Sequence, residues 1–245
     1  MAQIQDLRNP PITEAVIDFR VVLPEGIGAD QLREAKQALA STYPKSEEPK
    51  GMEARVAFQE GHSVQEIRDL GFQGVWLKTA DELTVAQFRP NGFTVNRLKP
   101  YQGWDRLLPE AMRLWDVYVQ LTKPLRVTRL AVRYINNLPY PGPGIETEDY
   151  FVTGPRLPPS VPEAITGFTT RVGLIHPDRQ IYANVIQVFE VRAEQSRFLF
   201  DIDVFKVGDF GTAPENLVRI FEMLRTYRGE IFFSSLTEKY LEMFK

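Results

Sequence analysis

The residues with the types and spacing for chemistry are arginines and aspartates on predicted strands. Asp201 and Asp203 lie two apart in an alternating segment, so both carboxylates point to one face. Such a pair can hold Mg²⁺ or divide acid and base roles. Arg20, Arg55, Arg97, Arg129, Arg133, Arg171 and Arg192 also fall within predicted strands. If those strands are neighbours, their guanidinium forks concentrate on one sheet surface and can grip phosphate or carboxylate bidentately. The competing reading sets them in a cross-strand ladder against Asp18, Glu53, Glu190, Asp201 and Asp203. A net charge of −3 favours the ladder. The candidate ligand-binding set is Arg129, Arg133, Arg171, Arg192, Asp201 and Asp203.

The rest of the inventory is poor in catalysts. The two histidines, His62 and His176, fall in predicted turns beside polar residues, a poor position for a general base or metal ligand. The chain has no cysteine, which removes disulfides, thiolate metal sites and cysteine nucleophiles together. No glycine-rich phosphate loop or nucleophile elbow is present. Phe210 to Ala213 precede a predicted helix, but any helix start offers backbone N–H groups. Phe72, Trp76 and Lys78 share one face of a predicted strand, a pattern that suits base stacking but more often marks a core face. No catalytic residue, metal site or cofactor is assigned, and a non-enzyme is expected.

The elements that must position these side chains follow from periodicity. Asn9-Pro10-Pro11-Ile12 is a stiff extended lead-in. Glu14–Leu23 alternates, with Ala15, Ile17, Phe19 and Val21 on one face. A helix is predicted from Asp30 to about Tyr43, then a charged loop from Lys45 to Lys50. Strands are predicted at Glu53–Gln59 (Ala54, Val56 and Phe58 inward), Phe72–Lys78, Leu83–Arg89 and Gly92–Leu98, with Asn91-Gly92 as the strongest turn signal. A helix from Gly103 to Thr122 carries Trp104, Leu107, Leu108, Ala111, Trp115 and Tyr118 at helical spacing.

A second run begins with a strand at Leu125–Asn136. Pro139–Pro162 is rich in Pro and Gly, with a helical turn predicted around Glu146–Phe151, and reads either as a lid or as a strap. Strands follow at Gly167–Ile175, Gln180–Ala193 and Arg197–Val207. The next helix uses Leu217, Ile220, Phe221, Leu224, Tyr227 and Ile231. Thr212/Glu215 and Ser235/Glu238 have capping-box spacing for it and for a last short helix.

This order predicts an α+β fold of mainly antiparallel sheet with helices covering one face. The order appears twice, as duplicated β-α-β(3-4)-α units: residues 1–123 and residues 124–245, packed as one unit.

Three stretches carry a family likeness: Asn9-Pro10-Pro11-Ile12-Thr13-Glu14-Ala15-Val16, Arg133-Tyr134-Ile135-Asn136-Asn137 and the ending from Phe232 to Lys239. Together they resemble a sporadically distributed family of uncharacterised bacterial and archaeal proteins of similar length. The resemblance implies no established activity. Its patchy distribution hints at accessory systems such as defence or toxin–antitoxin-like modules. From the residues alone, Glu14, Arg133 and Asn136 are polar groups in or beside core strands, readable as a buried network or as the floor of a site.

With 43% apolar and 25% charged residues, the composition is that of a soluble globular chain. No apolar run reaches the roughly 18 residues that span a bilayer, so a cytoplasmic location without membrane contact is expected. The expected function is binding of a partner protein or an anionic ligand. The alternatives are a nucleic-acid-binding accessory factor and a carboxylate-dependent enzyme. The free sheet edge of a doubled fold also suggests a homodimer.

Overall fold

The alternating segment near the start of the chain becomes the middle of the molecule. β1 (Ile12–Val22) buries Ala15, Ile17, Phe19 and Val21 and turns Glu14, Val16, Asp18 and Arg20 to the opposite face. The computed structural model describes residues 7–59, 62–139, 149–154, 158, 166–190 and 197–245. After β1 come α1 (Ala29–Ala38), β2 (Lys45–Glu47), β3 (Lys50–Gln59), β4 (His62–Phe72), β5 (Val75–Lys78), β6 (Thr84–Arg89), β7 (Gly92–Leu98) and α2 (Trp104–Thr122). Then follow β8 (Arg126–Pro139), β9 (Gly167–His176), β10 (Ile181–Glu190), β11 (Arg197–Phe210), α3 (Pro214–Ser235) and α4 (Glu238–Leu241). The fold is α+β, as expected.

One antiparallel sheet of nine strands runs in the order β2-β5-β6-β7-β1-β8-β11-β10-β9, and β3 pairs with β4 in a separate hairpin. β1 and β8 lie side by side at the centre, with Ile17 opposite Val132. Phe19 stacks on Trp115 of α2 with ring centroids 4.4 Å apart and meets Phe221 of α3 edge-on at 4.9 Å. Both long helices therefore lie against the face that β1 buries. Burying each such side chain contributes about 1.5–3 kcal/mol, so this aromatic cluster anchors the helices to the sheet. Gly92 lets the β6–β7 turn tuck under β1: its φ is +156°, and a Cβ there would lie 2.0 Å from the Phe19 carbonyl oxygen.

The structure redraws several predicted elements. α1 stops at Ala38, five residues early, because Ser41-Thr42-Tyr43-Pro44 cannot continue a helix and the chain turns there. The charged stretch after it is not all loop, since Lys45–Glu47 adds a short edge strand beside β5. The strand predicted from Phe72 to Lys78 is broken at Gln73-Gly74, which separates Phe72 from Trp76 and Lys78. Phe72 ends β4, where the Arg33 guanidinium sits 5.1 Å from its ring centre. His62 opens β4 and His176 closes β9, so neither lies in a turn. The inward-facing side chains predicted for β3 and most of the Pro139–Pro162 segment lie outside the described residues. Within the latter, Phe151 stacks on Phe198 at 3.8 Å and bridges to Leu236.

Neither predicted capping box forms. Ala213 occupies the N-cap of α3 and makes no side-chain cap bond. Thr237, rather than Ser235, caps α4, and its hydroxyl accepts from the Tyr240 N–H.

Candidate functional site

The open face of the sheet gathers the strand arginines and their acids. Register brings Arg133 opposite Asp203 and Ile135 opposite Asp201, so each guanidinium reaches a carboxylate across the ladder. Arg133 clasps Asp201 with two bonds, Nε to Oδ1 at 2.8 Å and Nη2 to Oδ2 at 2.5 Å. Arg129 bridges two acids, donating to Asp18 at 3.1 Å and to Asp203 at 2.9 Å. Asp18 also accepts from Arg89 at 2.6 Å, Thr94 at 2.7 Å and Arg20 at 3.2 Å. Glu14 accepts from the Asn96 amide.

Burial alone would raise the Asp18 carboxyl. Arg89 and Arg20, with hydrogen bonds from Thr94 and Arg89, outweigh it and hold Asp18 below the usual range. Burial wins at Asp203 and pushes its carboxyl up, despite Arg129 and Arg133.

Thus Arg129, Arg133, Asp201 and Asp203 come together as one ion-pair network with Asp18, Arg20 and Arg89. Arg97 stands apart, bonded to Thr84 and to the Pro100 carbonyl. Arg171 is exposed on the edge strand β9. Arg192 and the side chain of Arg55 lie outside the described residues. Among those described, no cluster of three or more His, Asp or Glu could hold a metal ion. Among the described residues, no helix is long and apolar enough to cross a membrane.

A cleft of about 710 Å³ lies on the helix-covered side. The lead-in to β1 (Arg8, Pro10, Pro11, Ile12), the start of α2 (Tyr101 to Asp105), Asn136 of β8, and Glu222, Arg225, Arg228, Phe232 and Phe233 of α3 line it. Residues 9–16, 133–137 and 232–239, far apart in sequence, each contribute a side chain to this cleft. The polar trio noted above is split: Glu14 and Arg133 stay on the open face, and Asn136 alone faces the cleft.

Arg228 distinguishes the cleft. It is 9% exposed, its Nε has no hydrogen-bond partner, and no carboxylate pairs with it among the described residues. Its guanidinium lies 4.0 Å from the centre of the Tyr134 ring, a cation–π contact. Tyr134 in turn exchanges a 2.6 Å hydrogen bond with Tyr101. Burial depresses Arg228 below the ordinary arginine range, and Arg225 adds to the effect. Arginine nonetheless stays protonated in proteins.

Around it, Glu222 is already engaged: it accepts from Trp104 Nε1 at 2.7 Å and lies 3.7 Å from Arg225. Arg225 also sits over the Trp104 ring at 5.5 Å. The start of α2 is uncapped by any side chain. Gly103 takes φ +105° there, and Trp104 and Asp105 of the first turn border the cleft. Asn136 is fully buried. Its Nδ2 donates to the Phe200 carbonyl at 2.9 Å and to the Tyr134 carbonyl at 3.3 Å, which leaves Oδ1 without a donor.

Sequence reading missed Arg228, although a signal was there. The buried stripe of α3 runs Leu217, Ile220, Phe221, Leu224, Arg228, Phe232. The predicted stripe turned instead through Tyr227 and Ile231, stepping around a charged residue that the i+4 spacing places in the core.

No model of a known protein family matches the chain, and no curated protein matches it.

Proposed function

We propose that this chain is a binding protein whose cleft receives an anionic ligand, a carboxylate or phosphate attached to an apolar or planar body. The observation that carries this reading is Arg228, a buried guanidinium in a cleft with no carboxylate partner among the described residues. An unpaired buried charge is costly, and an anion arriving from outside would neutralise it with charge-assisted hydrogen bonds. Three guanidinium groups line the cleft against two carboxylates, Asp105 and Glu222, and Glu222 is already shared by Trp104 and Arg225. The uncapped N-terminus of α2 adds partial positive charge. Tyr101, Trp104, Phe232 and Phe233 offer apolar walls, and the volume lies within the range of about 300–1,000 Å³ usual for small-molecule sites.

This reading takes residues 1–123 and 124–245 as duplicated β-α-β(3-4)-α units. The strand order about the centre supports it, since β1 and β8 are each flanked outward by the strand that precedes a long helix, β7 before α2 and β11 before α3. The cleft would then lie at the seam of the two units. The family resemblance hints at an accessory system, of defence or toxin–antitoxin-like type, as the setting for such a binder.

The test is a thermal-shift panel of inorganic phosphate, citrate, aromatic carboxylates and nucleoside monophosphates on the wild type and on Arg228→Met. At a ligand concentration of 100 Kd, binding stabilises the fold by about 2.7 kcal/mol. The expected result is a shift with at least one anion that vanishes in the variant. Shifts that persist unchanged in Arg228→Met would overturn the assignment, as would silence across the panel together with a variant less stable than wild type.

A further inference from the structure

The two edges of the nine-stranded sheet are built differently. β2 is three residues long, carries Lys45 and Glu47, and is tied down by Lys45–Glu82 and Lys78–Glu47 pairs. Short, charged strands are how proteins blunt an edge against pairing. β9, at the other end, is ten residues long without proline or lysine. Val172 (48% exposed), Leu174 (36%) and Ile175 (58%) stand on it, with Tyr182 (38%) beside them on β10. Its outer backbone groups have no partner strand among the described residues.

We infer that β9 is a self-association edge, on which a second copy of this chain pairs its own β9 antiparallel to extend the sheet across a twofold axis. The sequence of β9 fits itself. A twofold that keeps both open faces on the same side must pass through a residue, because side chains alternate with period two. Centring on Arg171 would set two guanidinium groups directly opposite, which is unfavourable. Centring on Val172 pairs residues 168–176 along nearly the whole strand. It places Arg171 against Gly173, Ile175 against Thr169 and Leu174 against Thr170 of the second copy, with the two valines meeting at the axis. Like charges are kept apart, and the exposed Val172 of one copy meets that of the other.

The test begins with size-exclusion chromatography coupled to light scattering at about 100 μM, on the wild type and on Val172→Lys. A dimer is expected for the wild type. Two lysines facing across the axis should weaken it at least about tenfold, a change of about 1.4 kcal/mol. If Val172→Lys does not fold by circular dichroism, Ile175→Lys, diagonal to Arg171 of the second copy on the open face, should weaken the dimer by like-charge repulsion instead. The absence of cysteine allows a second measurement. Directly opposed strand residues have Cα atoms about 4.5–5.5 Å apart, within disulfide range. Oxidised Val172→Cys should therefore cross-link, whereas Leu174→Cys and Leu125→Cys should not. A monomeric wild type, a dimer that survives both lysine variants, or cross-linking through Leu125→Cys in place of Val172→Cys would each overturn the inference.

Discussion

On the open face of the sheet Arg129 binds two carboxylates, whereas in the cleft Arg228, more deeply buried, binds none among the described residues. The two arginines sit on neighbouring elements and both contact an aromatic ring, Phe205 at 4.4 Å and Tyr134 at 4.0 Å. The difference is what the partner strands and helices supply. β1 and β11 bring Asp18 and Asp203 into register with β8, and the charges cancel within the fold. α3 carries Arg228 into a stripe of Leu and Phe, where its partner among the described residues is Tyr134 and no carboxylate. The first arrangement is complete in itself. The second leaves a buried guanidinium without a carboxylate among the described residues.

The sharpest way to break this contrast is to make the open face resemble the cleft. Asp18→Asn removes the charge that Arg89, Arg129 and Arg20 share, while Arg89 keeps little access to water. Removing one partner of a buried pair costs about 3–5 kcal/mol, and a loss of that size is expected in urea unfolding. A loss below about 1 kcal/mol would show that water already satisfies these arginines, and the contrast with Arg228 would collapse.

The reverse experiment is next in size. Arg228→Met fills similar volume without a charge. Replacing a buried, poorly compensated ion with an apolar side chain is often stabilising by about 1–4 kcal/mol. The ligand-free variant should therefore unfold at higher urea than wild type. A destabilised variant would mean that the Tyr134 contact already compensates the charge.

Much of this was legible before the structure, and the part that was not has a physical reason. Period-two segments such as Glu14–Leu23 and Gly92–Leu98 declared themselves because one face is buried and the other polar. α2 did so because its apolar stripe is unbroken. The Arg–Asp ladder could be named as an alternative from parity alone, but its pairing depends on register between β8 and β11, which lie more than sixty residues apart in sequence. β4 was missed because residues 62–72 mix Ser, Gln, Glu, Arg and Asp, a hairpin pattern without a clear apolar face. Arg228 was passed over because helical periodicity is read by looking for apolar residues, and a buried charge is the exception that the method discards.

Acid titration sharpens the comparison more gently. The folded Asp18 carboxyl lies below its ordinary 3.8, so its contribution is fully present above that value and is lost as pH falls through the folded one. The stability gap between wild type and Asp18→Asn should be constant near neutrality and close below about pH 4. Asp203 is shifted the other way, so its own contribution falls as pH rises from 3.8 through its folded value. A gap between wild type and Asp18→Asn that widens on acidification would contradict the assignment of Asp18 as the ionised hub.

The smallest effect belongs to a pair that looks as strong on paper. Glu48 accepts from Arg33 Nη2 at 3.1 Å and also binds Lys36, and hydrogen bonds from these two hold its carboxyl at about 2. If short distances and a depressed carboxyl decided stability, Glu48→Gln would rival Asp18→Asn. It should not, because Arg33 is 44% exposed and Glu48 30%, and solvent screens the pair while side-chain entropy opposes it. Exposed pairs typically contribute about 0.2–1 kcal/mol, and that is the loss expected, shrinking as salt rises from about 0.05 to 0.5 M because the Debye length falls well below 10 Å. The Asp18→Asn loss should change much less over the same range. Equal losses, or equal salt dependence, would show that counting ion pairs suffices and burial does not matter. Burial would then not set Arg228 apart from the exposed arginines.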